Sequence, residues 1–227
     1  MLLSVGIFGS VGRRENDSMS DLDVLAVVKS GTSKIDKEIV ISYLPAEYLP
    51  MPLSISWYGE NRIRNMYLNG ELFAWHIFYE TILLYDAYHF LESLGRPEKY
   101  KSCIQDVRSF RAIFDNVASQ VTSMPYNSIY EAGIIYSCVR NIAMSASWYL
   151  CARPNFSRYS PFDLQLESPC PISREEYILA MKCRMSSQRG DAPPPGVDAD
   201  FVLKIASVLP AWLDDIETEV KGRMKNG

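Results

Sequence analysis

The chain opens on an apolar stretch, Leu2–Phe8, that stops at Gly9-Ser10, and a second apolar stretch begins soon after at Asp21-Leu22-Asp23. Short apolar runs bounded by turn residues read as buried strands. Joining them through so short a segment leaves room for little more than a glycine turn and one brief helix, expected over residues 11–15. Gly9 lets the backbone approach a ligand closely. Ser10 is placed to cap that helix, whose N-terminus suits an anion. Arg13 carries a guanidinium shaped for phosphate oxygens. Asp21 and Asp23, two apart on a strand, point to one face. Their charges repel unless a cation joins them, and hard oxygen ligands of this kind suit Mg2+. A plain turn before a strand with two exposed acids is the competing reading, because Asp-x-Asp alone is common.

The rest of the front half alternates. Leu22–Val28, Glu38–Leu44 and Leu53–Tyr58 are expected strands, with Pro45, Pro50 and Pro52 breaking the chain between the last two. Residues 60–79 are expected to be helical with an interruption at Gly70, and Ile82–Tyr85 to be a short strand. After Gly95-Arg96-Pro97 the pattern becomes helical. Lys99–Val121 has Ile104, Val107, Phe110, Ile113, Phe114 and Val117 on one broad face. Tyr130–Cys151 is apolar nearly all round, as a central bundle helix would be. Residues 173–187 and 198–224 read as further helices, the last bent at Pro210, with a loop over 189–196. The expected fold class is α+β: a small mixed-sheet domain over residues 1–95, then a helical bundle over 96–227.

Charge is divided unevenly. Residues 1–92 carry seven basic and twelve acidic side chains, whereas the remainder is nearly balanced. An acidic front half suits metal ions and cationic substrates, and argues against a non-specific grip on nucleic-acid phosphates. The five cysteines are scattered and form no Cys-x-x-Cys. They read as reduced thiols, which points to the cytoplasm. No apolar run approaches the roughly 20 residues that span a bilayer, and the N-terminus lacks the basic region of a signal peptide.

Taken together, Gly9, Ser10, Arg13, Ser20, Asp21 and Asp23 meet every fixed position of the pattern GSxxRx(6)SDxD. The chain therefore resembles the polymerase-β-type (minimal) nucleotidyltransferase superfamily, firmly over residues 2–28 and more loosely to Leu84-Tyr85-Asp86. The helical half is similar to that of kanamycin nucleotidyltransferase-like enzymes. The resemblance implies a nucleotide site at Gly9, Ser10, Arg13 and Ser20, and Mg2+ at the catalytic pair Asp21 and Asp23. ATP is the implied donor, and the acceptor is a hydroxyl on a small molecule, a protein or an RNA.

Two departures bear on activity. The chain starts at the first strand, so the helix that usually precedes it is either absent or lies upstream of Met1. The third carboxylate, which active relatives place on a later strand, is missing: Leu53–Tyr58 offers only Ser54 and Ser56. Glu47 and Glu60 flank that strand. Glu131 opens the nearly uncharged helical segment, and some antibiotic nucleotidyltransferases resemble this arrangement, with a glutamate of the helical domain as base. Glu131 is thus the nominated catalytic base; a helix-start carboxylate favoured by the dipole is its plainer reading. His76, set among aromatic residues, reads as a core histidine, and with His89 the only other one a zinc site is not expected. Arg153, Arg158, Tyr159 and Ser160 follow the central helix and are candidate nucleotide or acceptor contacts. Three functions stay open: a nucleotidyltransferase, a degenerate nucleotide-binding regulatory module, and an antitoxin-type partner protein.

Overall fold

The computed structural model describes residues 1–31, 35–121, 123 and 127–226. The protein is α+β and divides into two compact units, Met1–Lys101 and Ser102–Gly227.

The first unit is built on a four-stranded mixed sheet of order β3-β2-β1-β4. β1 (Leu2–Phe8) is antiparallel to both β2 (Leu22–Val28) and β4 (Ile82–Asp86), and β3 (Leu53–Gly59) runs parallel to β2 at the edge. Both faces of the central strands are covered, which is why β1 and β2 read as continuous apolar runs rather than alternating ones. On one face Leu3, Leu25 and Val27 pack with Ile63, Met66, Tyr67 and Ile77. On the other, Val5, Ile7, Val24 and Ala26 pack with Val11, Val40 and Leu44.

The helices of this unit are α1 (Gly9–Gly12), α2 (Lys37–Ile41), α3 (Glu60–Leu68), α4 (Leu72–Glu80) and α5 (Phe90–Ser93). Gly70 interrupts the 60–79 region as expected, at φ +62°. The strand expected over Glu38–Leu44 is instead α2 and a following turn. The β-branched run Ile39-Val40-Ile41 suggests a strand, but Val40 and Leu44 are the residues buried. That spacing of four is helical, and packing under the sheet overrides local propensity.

The second unit contains α6 (Cys103–Val121), α7 (Ser128–Leu150), α8 (Arg174–Arg189) and α9 (Ala199–Asn226). α7 packs against the other three, so its buried residues surround the helix. α8 starts with a capping box between Ser173 and Glu176 and ends at Gly190 in the left-handed conformation. α9 continues through Pro210. All five cysteines are free thiols, and burial pushes those of Cys103 and Cys138 up to about 12. No helix among the described residues is long and apolar enough to cross a membrane.

Candidate functional site

Six motif residues come together where β1 ends and β2 begins. Phe8 pairs with Asp23 across the antiparallel ladder, which sets the carboxylate beside the Gly9 turn. Gly9 takes φ +69°, a conformation that costs other L-residues roughly 1–2 kcal/mol. A β-carbon at this position would stand 2.5 Å from Asp23 Oδ2. Position 9 therefore requires glycine for two separate reasons, and the space without a side chain holds the acid.

The turn itself differs from expectation. The helix is Gly9–Gly12, not residues 11–15, and the residue at its N-cap is Phe8. Because Gly9 bends the chain directly off the strand, Ser10 lies inside the helical turn and does not cap it. The amides of Arg13 and Glu15 bond to the carbonyls of Gly9 and Ser10 at 3.0 and 2.8 Å, which closes the turn. Ser20 is buried and its hydroxyl fastens the following loop, donating to Asp17 Oδ1 and accepting from Asp17 N, both at 3.0 Å.

Asp21 and Asp23 are both half-buried while Leu22 between them is 1% exposed. This alternation puts the two acids on the face opposite Leu22. Leu22 N bonds Pro52 O at 2.8 Å and so ties the Asp-Leu-Asp segment to the start of β3. In the parallel ladder Asp23 is the partner of Ser54. Ser54 therefore occupies the strand position next to the metal-ligand candidate. No group of three or more His, Cys, Asp or Glu side chains suited to a metal ion occurs among the described residues.

Of the three acids considered as bases, Glu60 is ruled out by register. β3 runs from the Asp23–Ser54 pair to the Val28–Gly59 pair, and Glu60 follows it. At about 3.3 Å per residue that is roughly 20 Å from Ser54. Glu60 instead pairs with Arg64 at 3.2 Å. Glu47 is exposed on a 3-10 turn over Ala46–Tyr48. Glu131 lies in the first turn of α7 and is 3% exposed. Its Oε2 has no hydrogen-bond partner among the described residues, and burial raises its pKa. Of the loop candidates in the second unit, Ser160 is fully buried while Arg153 is exposed. Tyr159 stacks under Arg174, and the Arg158 carbonyl accepts from Tyr177.

Arg13 is held by two carboxylates. Its Nε donates to Glu15 Oε2 at 2.8 Å and its Nη1 to Glu80 Oε2 at 2.7 Å. His76, buried edge-to-face against Phe8 and Phe73, also brings Nε2 within 2.7 Å of Glu80 Oε2, obliquely to the hydrogen-bond direction. The core reading of His76 is right as to packing. Glu80 was not legible as a site residue. The available signal was that it is the single acid of an apolar helix, four residues after His76. No protein-family model matches the chain, and no curated protein matches it.

Proposed function

We propose that the protein is a Mg2+-dependent nucleotidyltransferase that moves AMP from ATP to a hydroxyl of a small molecule, a protein or an RNA. The observation that carries this reading is the Gly9 turn seated under the Asp23 carboxylate, with Asp21 on the same face. The side-chain-free space at Gly9 suits a carboxylate that must share a cation with a phosphate. Asp21 and Asp23 would hold the metal, and the turn at Gly9 and Ser10, with Arg13, would hold the triphosphate. Bound Mg2+ would neutralise phosphate charge and favour departure of pyrophosphate. The acceptor oxygen forms a bond to the α-phosphorus as the bond to the pyrophosphate oxygen breaks, and the hydroxyl proton passes to a base. A positioned base is worth roughly 10²–10⁴ in rate. Five free thiols support a reducing, cytoplasmic setting.

Titration calorimetry tests the reading. Asp21→Asn with Asp23→Asn should abolish Mg2+-dependent ATP binding while circular dichroism stays unchanged. Retained binding would sink it. A second reading, a nucleotide-binding module without turnover, is favoured by Ser54 in the position beside Asp23. Incubation with labelled ATP, Mg2+ and candidate acceptors separates the two. Binding without any labelled product favours the module.

A further inference from the structure

Glu80 closes α4 and is buried, at 7% exposure. A carboxylate in that state is costly unless paired, and removing one partner of a buried pair is costlier still. Its Oε2 pairs with Arg13, 67 residues earlier in the chain, and lies 2.7 Å from His76 Nε2 as well. The same residue meets the turn a second time through its backbone, since a β-carbon on Gly12 would collide with the Glu80 carbonyl oxygen. Position 80 thus supports the turn from beneath and holds its arginine from the side. The other carboxylate on Arg13 is different: the Glu15 side chain is 54% exposed. An exposed pair is worth about 0–1 kcal/mol and yields to a competing anion.

We propose that Glu80 is a positioning residue for the triphosphate. It holds the Arg13 guanidinium and the Gly9–Gly12 turn in the orientation that receives the polyphosphate, and does not itself touch the nucleotide. This role rests on the reading of the site given above. It makes a prediction opposite in sign to simple electrostatics. Glu80 adds negative charge near a site for a polyanion, so removing that charge alone should tighten ATP binding. Removing a positioning group should weaken it, because Arg13 then has to be ordered at the moment of binding.

The test is calorimetry on the full chain with Mg-ATP, AMP and adenosine. Glu80→Gln should weaken Mg-ATP at least tenfold and leave adenosine within twofold. Glu15→Gln should stay within twofold for all three ligands. Arg13→Gln should weaken Mg-ATP comparably, and the Arg13→Gln, Glu80→Gln double variant should be no worse than Arg13→Gln alone. Glu80→Asp keeps the charge but withdraws it from Arg13; it should also weaken Mg-ATP, and it serves if Glu80→Gln does not fold. Unchanged or tighter Mg-ATP binding in the variant that folds, additive losses in the double variant, or equal losses for ATP and adenosine would overturn the proposal. If the wild-type chain itself binds no Mg-ATP, the reading of the site fails first. If Arg13→Gln weakens binding and the Glu80 variants do not, only the positioning role fails.

Discussion

Gly9 and Asp23 are locked together: the backbone of one leaves room, to within a single carbon atom, for the carboxylate of the other. Gly9→Ala should therefore do two things. The left-handed φ should cost roughly 1–2 kcal/mol in a urea titration. Asp23 should also be displaced, so that Mg2+-dependent ATP binding falls at least tenfold. A variant that loses stability but keeps full ATP affinity would show that Asp23 needs no such seat.

Ser54 offers the opposite experiment. As the ladder partner of Asp23 it stands on a neighbouring strand about 4.8 Å away, on the same face. Ser54→Asp should place a third carboxylate there. In chelator the variant should melt below wild type, because like charges oppose each other, and Mg2+ should close the gap. Turnover should rise at least tenfold if the missing acid limits it. A melting gap that Mg2+ leaves untouched would count against a metal at this position.

Glu131 supplies a pH dependence. Burial raises its pKa, so the fold favours the neutral carboxyl. The associated stability is complete below the unfolded value near 4.3 and is lost as pH rises through the folded value. Glu131→Gln should thus melt with wild type near pH 4 and above it at pH 7. Each kcal/mol shifts melting by about 2–4 °C in chains of this size. Calorimetry at the two pH values checks this. A variant that melts lower at pH 7 would mean that the ionised carboxylate has a stabilising partner.

Asp86 provides a structural control. It accepts from Ser4 Oγ at 2.5 Å and from the amides of Leu91 and Glu92 at 3.0 and 3.2 Å, joining β1, β4 and α5. Asp86→Ala leaves these donors unpaired and should cost about 1–3 kcal/mol. Ser4 lies five residues up β1 from Gly9, roughly 16 Å, so ATP affinity should not change. A large affinity loss in a folded Asp86→Ala protein would show that the two ends of the sheet are coupled.

What the sequence reveals here follows from the range of the interactions. β1, β2 and the Gly70 break are legible because apolar runs and a lone glycine act locally. α2 is misread because Ile39-Val40-Ile41 carries a strand propensity that burial of Val40 and Leu44 overrides. Ser10 looks like a cap until the φ of Gly9 is known, since the bend starts the helix two residues early. The empty acid position at Ser54 is readable as an absence, yet its adjacency to Asp23 is a matter of register. Glu80 is the hardest to find, because its partner lies in another element and no local pattern links them.

The contact between Glu80 and the Gly9–Gly12 turn also bears on how the protein is made. The turn leaves the ribosome some seventy residues before its support on α4 is synthesised. Closing a loop of that length carries an entropic cost that grows only slowly with length, so the delay is set by synthesis more than by search. Until α4 emerges and β4 pairs with β1, Arg13 has Glu15 within reach and not Glu80. During elongation the nascent chain therefore carries the complete motif without the scaffold that shapes it, and a ribosome-bound fragment ending before residue 80 would present the residues of the site but not its geometry.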